Sequence, residues 1–152
     1  MVDRTRVLVA SAALACLSLA SCVGPARTEA AYRGKALGTI AEVRSDVQTM
    51  VVALRGMRHR PLPAAYASTL SAGAEEGADA AQAAFSSVQP PTRSADRVRR
   101  AVLTTTGEAV DELAALRIEA RRGGIRDLDG HLRSLHQSTV RLDRLAARLG
   151  GG

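Results

Sequence analysis

The chain has 152 residues, enough for one domain with a hydrophobic core, and it contains 21 Lys and Arg residues against 15 Asp and Glu residues. The resulting net charge of +6 favours anionic partners, although the near absence of lysine is most simply explained by a high-GC coding sequence. Two cysteines exclude a disulfide-rich scaffold. No tryptophan, two tyrosines and one phenylalanine leave no platform for stacking bases, so no nucleic-acid partner is expected.

The first predicted element is an export signal at the N-terminus. Arg4 and Arg6 supply positive charge before an apolar stretch over residues 7–20. This stretch is shorter than the roughly 20 residues that a transmembrane helix needs, and small residues follow it. The pattern is typical of a signal peptide that is cleaved.

Residues 19–22, Leu-Ala-Ser-Cys, resemble the lipobox of bacterial lipoproteins, in which the cysteine carries the lipid. The resemblance implies a signal peptide over 1–21 and lipidation of Cys22, including a fatty acid such as palmitate. It also implies anchoring to the extracytoplasmic side of the cell membrane, which two acyl chains make stable. An ordinary secretory signal with a chance cysteine and an uncleaved N-terminal anchor remain the alternatives. The chain is also similar in style to small helical lipoproteins of high-GC actinobacteria, which implies no particular function.

Processing at this site would leave no free thiol. Cys16 would leave with the signal peptide and Cys22 would carry lipid, so thiol catalysis and thiolate metal sites are not expected. Residues 22–29 are predicted to form a short tether between the lipid and the domain.

Four helices are predicted, over about 30–60, 64–88, 95–122 and 125–149, with a disordered tail at 150–152. Pro61 is expected to end the first helix, and Pro63 suits the first turn of the second. The second helix is rich in alanine, and its acidic residues are expected to face solvent. The first helix carries an apolar stripe with alternating spacings of three and four: Ala36, Ile40, Val43, Val47, Met50, Leu54 and Met57. The acidic residues of the second are Glu75, Glu76 and Asp79.

Ser94 is predicted to cap the third helix, and Gly123-Gly124 to end it. The fourth helix has the least interrupted apolar stripe, so the stability of the domain is expected to depend on it most. That stripe comprises Ile125, Leu128, Leu132, Leu135, Thr139, Leu142, Ala146 and Leu149.

Short connections between long helices predict an all-α, antiparallel up-down-up-down four-helix bundle. Two alternatives are three long helices with the alanine-rich segment loosely attached, and a helical hairpin that completes its core by dimerising.

No motif predicts catalysis. The chain lacks a Gly-x-Ser-x-Gly elbow, a Ser-x-x-Lys pair and a phosphate-binding glycine loop. His59, His131 and His136 are expected at the surface, because no carboxylate-x-x-histidine pair accompanies them as in metal sites of helix bundles. We therefore expect no enzyme activity, no catalytic residue, no cofactor and no metal.

Two features suggest binding. Arg58, Arg60, Arg121 and Arg122 are expected to meet at the end of the bundle away from the membrane, where they would form a candidate site for anionic wall polymer or lipid headgroups. Helix dipoles and coding bias are the simpler explanation of their positions.

The second feature is a pair of Gly-x-x-x-Gly spacings, at Gly34–Gly38 and Gly73–Gly77. These spacings are compatible with close packing inside the bundle or with a groove for a partner helix. The main hypothesis is a non-catalytic binding or scaffolding role in the cell envelope through protein–protein interaction. Binding of an anionic polymer is the alternative.

Overall fold

The computed structural model of the protein describes residues 26–60 and 62–151. This part of the chain forms four α-helices and no strand: α1 spans Glu29–Met57, α2 Ala64–Ser86, α3 Arg93–Arg121 and α4 Leu128–Gly150. Short connections make consecutive helices antiparallel, so the predicted all-α, up-down-up-down four-helix bundle is confirmed. The predicted signal peptide and Cys22 lie outside the described residues.

The bundle is flattened, so its helices are not equivalent. Helices α1 and α3 each contact all three other helices. By contrast, no Cα atoms of α2 and α4 in the described chain lie within 8 Å of each other. Helices α1 and α3 therefore face each other across the short diagonal of the bundle, and α2 and α4 lie at the two ends of its long diagonal. In this central position α1 buries eight residues: Tyr32, Ala36, Thr39, Ile40, Val43, Val47, Met50 and Leu54.

The apolar stripe of α4 is less deeply buried than its regular spacing suggests. Leu135 and Leu142 are fully buried, whereas Leu128, Leu132 and Leu149 are only partly buried against the core. The periodicity identifies which face of a helix is apolar but not how many neighbours cover that face. The central position therefore belongs to α1 and α3.

The alanine-rich helix α2 packs against both α1 and α3, so the alternative in which it is loosely attached is wrong. Its buried face consists mostly of small side chains, which permit close approach. The Gln82 amide also donates hydrogen bonds to the Leu103 carbonyl (3.0 Å) and the Thr106 hydroxyl (2.9 Å), fixing α2 against α3. The buried residues of α2 are Ala67, Ser71, Ala74, Ala78, Ala81 and Phe85.

The ends of the helices differ from the sequence prediction by a few residues. Thr92, not Ser94, caps α3 by accepting a hydrogen bond from the Ala95 amide at 3.2 Å. Thr92 has extended backbone angles directly after two prolines, so the helix begins two residues earlier than expected. The hydroxyls of Thr92 and Ser94 both donate to the Glu29 carboxylate, which places the start of α1 beside the start of α3.

The bounds of the other helices also differ from the prediction by a few residues. Helix α1 ends at Met57, before the predicted position 60, and Pro63 is the cap residue of α2, not part of its first turn. Helix α4 begins at Leu128, because Asp127 caps it by accepting from the Gly130 amide at 2.8 Å. The connection before it turns through Gly123 and Gly124, which have φ values of 114° and 110°.

Candidate functional site

The four arginines predicted as an anion site lie at the end of the bundle where α1 and α3 end and α4 begins. Arg58 and Arg60 follow α1, Arg121 is the last residue of α3, and Arg122 follows it; all four are exposed. Arg58 forms an ion pair with Asp129 in the first turn of α4. Within the described chain, no carboxylate forms an ion pair with the other three. One of the four charges is therefore neutralised internally.

Arg58 also lines a shallow surface concavity together with Arg55, Arg133 and His136. The three other arginines of the predicted set do not line it. Arg55 lies in the last turn of α1 and Arg58, three residues later, caps the end of that helix, whereas Arg133 and His136 share one face of α4. The sequence shows each pair, but only the packing of α1 beside α4 brings the two pairs together.

A further arginine near this end, Arg117, is used inside the bundle. It donates hydrogen bonds from Nε and Nη2 to the Glu75 carboxylate, with 3.1 Å between Nη2 and Oε1. The Glu75 side chain is only 20% exposed, so its predicted solvent position is wrong. The Glu75 side chain points toward Arg117 of α3, because α2 and α3 pack side by side. Glu76 and Asp79 are exposed as expected.

His131 lies between two carboxylates, so its predicted surface position is also wrong. Its Nδ1 is 2.9 Å from Glu112 Oε1 and its Nε2 is 2.6 Å from Glu119 Oε2. The side chain is 15% exposed. Burial alone would lower the pKa of His131, but hydrogen bonds and the charges of both carboxylates outweigh it and raise the pKa.

Glu119 connects this histidine to the α3–α4 loop. Its other oxygen accepts hydrogen bonds from the backbone amides of Arg126 (2.7 Å) and Asp127 (3.4 Å). These amides, together with His131, lower the pKa of Glu119. The arrangement holds the loop, α3 and α4 together, so its hydrogen-bonding groups are already occupied. Among the described residues, no group of His, Cys, Asp and Glu side chains is arranged to bind a metal ion.

A mostly apolar groove with a volume of about 290 Å³ lies between α1 and α2. Most of its lining is apolar, and the Asp46 carboxylate is its only charged group. Asp46 is half-buried, and burial raises its pKa, with a smaller effect in the same direction from the charge of Glu42. The α1–α2 groove is lined by Asp46, Thr49, Tyr66, Thr69, Leu70, Gly73 and Ala74.

The glycines of this face explain its shape. A Cβ atom built on Gly77 would lie 2.8 Å from Asp46 Oδ2, so the carboxylate occupies space that only a glycine leaves open. A Cβ on Gly73 or Gly38 would meet no atom within 4 Å. Gly38 lines a second concavity of about 340 Å³ farther along the same two helices. Gly34, by contrast, lines neither concavity.

Two large apolar side chains are exposed near the α1–α2 groove. Tyr66 is 56% exposed and forms part of its lining, and Val52 is 69% exposed. Val52 follows Thr49 by three residues, so the two are neighbours on the surface of α1. A third exposed apolar residue, Ile118 on α3, is 41% exposed and does not line the groove. The sequence showed the glycines but gave no sign that Asp46 and Tyr66 share a groove.

No protein-family model, no curated protein and no solved structure matches the chain. Within the described residues, none of the helices is both long enough and apolar enough to cross a membrane.

Proposed function

We propose that this protein is a lipid-anchored component of the bacterial cell envelope that acts by binding another protein along the α1–α2 groove. The proposal depends on the groove itself, with Tyr66 exposed in its lining and Val52 exposed on α1 three residues after the lining residue Thr49. The anchor is proposed from the resemblance of residues 19–22 to a lipobox. The role proposed is binding or scaffolding, not catalysis.

Physical arguments support protein binding at this face. Tyrosine is enriched at the centres of protein interfaces, because its ring provides a large rigid contact area and its hydroxyl a polar contact. A partner helix that enters an apolar groove gains by covering such side chains. Gly38 and Gly73 leave room for a partner backbone to come close, since no atom lies within 4 Å of their Cβ positions.

Photo-crosslinking in cells tests this proposal. A photoreactive amino acid at Tyr66 or Val52 should crosslink to the same envelope protein, identified by mass spectrometry, whereas one at Ile118 should not. Ile118 is the matched control, because it is also an exposed apolar side chain. The proposal fails if Tyr66 and Val52 give no crosslink to a protein, or if Ile118 gives the same one.

A second candidate function, binding of anionic wall polymer, is favoured by the exposure of Arg60, Arg121 and Arg122. They lie at the end of the bundle opposite the start of α1. Since α1 has 29 residues, that distance is roughly 40 Å. An anchor preceding α1 would leave this end farthest from the membrane.

Replacing Arg60, Arg121 and Arg122 with Gln should weaken binding to purified anionic wall polymer, and added salt should reproduce the loss in the wild type. The same replacement of Arg93, Arg97 and Arg100 is the matched control. These three are exposed on the first turns of α3, at the other end of the bundle. If both triple variants lose polymer binding equally, the binding depends on net charge and not on this cluster. Binding that survives high salt would also contradict this candidate function.

A further inference from the structure

Among the residues that the structure describes, the Asp46 carboxylate has no hydrogen-bond or ion-pair partner, although the chain is rich in arginine. Four other carboxylates of the described helices form ion pairs with arginines: Arg44–Asp143, Arg58–Asp129, Arg117–Glu75 and Arg141–Glu108. Within residues 26–60 and 62–151, no hydrogen bond or ion pair reaches Asp46. Loss of water on burial is the largest cause of its raised pKa, and the charge of Glu42 acts in the same direction, so both disfavour the ionised carboxylate. The ionised form would therefore be stabilised by a cation from outside.

Two further side-chain oxygens of the α1–α2 groove, the hydroxyls of Thr49 and Thr69, are available only as hydrogen-bond acceptors, whereas the Tyr66 hydroxyl can both donate and accept. The Thr49 hydroxyl donates its hydrogen to the Ser45 carbonyl, and the Thr69 hydroxyl donates to the Ala65 carbonyl, each at 3.0 Å. Each hydroxyl has one hydrogen, so only the lone pairs of these two oxygens remain for a ligand. Together with the Asp46 carboxylate, these two oxygens form a set of acceptors that favours a ligand with several donors and a positive charge.

The apolar lining restricts the ligand further. Tyr66 offers a ring that is 56% exposed, and a cation binds favourably over such a ring. Leu70 and Ala74 offer an apolar surface on which an aliphatic stem can lie. The side chain that best fits this description, a charged head with several N–H donors on an aliphatic stem, is arginine. Lysine fits second best, because it has fewer donors. A metal ion fits less well, because the groove supplies a single carboxylate.

We propose that the α1–α2 groove binds an arginine side chain of the partner protein, with its guanidinium on the Asp46 carboxylate and against the Tyr66 ring. This inference rests on the proposed function, in which a partner protein occupies this groove. Gly77 is part of the site, because a side chain there would displace the Asp46 carboxylate. The partner segment carries apolar residues beside the arginine, and these cover Val52 and the groove lining.

A peptide titration tests the chemistry. The ¹⁵N-labelled full chain in detergent micelles is titrated with acetyl-Ala-Leu-Arg-Leu-Ala-amide and with the same peptide carrying citrulline, which is neutral and nearly isosteric. The arginine peptide should shift the amide signals of Asp46, Tyr66 and Gly73. The citrulline peptide should bind at least tenfold more weakly, since it lacks the charge.

Variants connect the binding to individual residues. Asp46→Asn should lower the affinity for the arginine peptide at least tenfold and abolish the preference of the protein for arginine over citrulline. Glu76→Gln should bind both peptides as the wild type does. Glu76 is the matched control, because it is an exposed carboxylate that does not line the groove. Tyr66→Leu should weaken binding by between about two- and thirtyfold through loss of the ring. Equal binding of the two peptides, an unchanged affinity of Asp46→Asn, shifts located elsewhere, or no shifts at all would overturn the proposal.

Crosslinking in cells separates this proposal from the proposed function. The photoreactive residue is placed at Val52, and the yield of the partner adduct is compared with and without Asp46→Asn. Loss of the adduct in the variant supports the arginine site. An adduct that persists overturns the arginine site and leaves protein binding intact, whereas no adduct in either protein removes the proposed function itself. An adduct between two copies of this chain would replace the partner by self-association and overturn the proposal as stated.

Discussion

Tyr32 shows at the scale of a single residue how packing can outweigh hydrogen bonding. Its side chain is 1% exposed and its ring packs against Phe85, with 5.2 Å between the ring centroids. Among the described residues, its hydroxyl is the one fully buried side-chain oxygen or nitrogen without a hydrogen-bond partner. Burial also raises the pKa of this hydroxyl. The ring therefore stabilises the start of α1, and the hydroxyl opposes that stabilisation.

Tyr32→Phe should leave the free energy of unfolding unchanged or raise it by about 1 kcal/mol, because it removes a desolvated polar group and keeps the ring. Tyr32→Ala should lower it by roughly 3–5 kcal/mol through the cavity it leaves. Chemical denaturation followed by circular dichroism measures both. A loss of more than about 1 kcal/mol in Tyr32→Phe would mean that the hydroxyl has a partner.

His131 gives the protein a pH-dependent contact. Its pKa in the folded protein is raised above the ordinary value of about 6.5, with Glu112 and Glu119 of α3 as the charged groups that face it. The histidine therefore binds its proton more tightly in the folded state than in the unfolded state. Its stabilisation is complete below pH 6.5 and is lost as the pH rises through the folded pKa.

We expect the free energy of unfolding to fall as the pH is raised above 6.5, and His131→Gln to remove most of this dependence because glutamine does not titrate. His136→Gln is the matched control, since His136 is exposed on the same helix. Urea denaturation at a series of pH values measures the effect. If His131→Gln keeps the pH dependence of the wild type, the histidine is not its source.

At the scale of elements, the contribution of a helix depends on where it lies in the bundle. Leu54 on α1 and Leu135 on α4 are both fully buried leucines. Helix α1 contacts three helices and α4 contacts two, α1 and α3. A regular apolar stripe alone, as in α4, therefore does not identify the helix on which stability depends most.

Leu135→Ala should cost about 2–5 kcal/mol, and Leu54→Ala should cost at least as much, because more neighbours surround the cavity it leaves. Arg133→Ala, at an exposed position directly after Leu132 of the apolar stripe of α4, should cost less than about 0.5 kcal/mol. Thermal and chemical denaturation of the full chain in detergent measures the three variants. Equal stability of Leu135→Ala and Arg133→Ala would contradict the burial of Leu135.

At the scale of the whole molecule, the proposed anchor would determine how the bundle is oriented at the membrane. Ala26 is buried against the core and α1 begins at Glu29. A lipid on Cys22 would therefore be separated from the packed domain by only a few residues. That short connection would keep the start of α1 near the membrane and turn the arginine end outward.

We predict that Cys22 is lipidated. Labelling cells with a fatty-acid analogue should mark the wild-type protein but not Cys22→Ala, and the variant should leave the membrane fraction, because the acyl chains supply the affinity for the membrane. Cys16→Ala is the control, since it keeps the lipobox intact. Equal label in the wild type and Cys22→Ala would end the lipoprotein proposal.

Several contacts of the candidate site were not visible in the sequence. The sequence predicts a surface position for Glu75, because acidic residues on one helix face are usually solvated, and for His131, because no carboxylate-x-x-histidine pair accompanies it. Each instead meets a group on a neighbouring helix, Arg117 for Glu75 and both Glu112 and Glu119 for His131. The partners lie 12 to 42 residues away along the chain. No local pattern encodes such a pairing, because it depends on how the helices pack side by side.

The sequence by itself determined the four helices and the antiparallel order, because apolar periodicity, prolines and glycine pairs act within a few residues of each other. It also determined the apolar face of α1, since a helix turns through a fixed angle at each residue. Only the tertiary structure decided that α1 and α3 lie on the short diagonal. It also placed the Asp46 carboxylate against Gly77 and in the same groove as Tyr66, with no hydrogen-bond or ion-pair partner among the described residues. These arrangements come from the packing of whole helices, in which the sizes of many side chains act together.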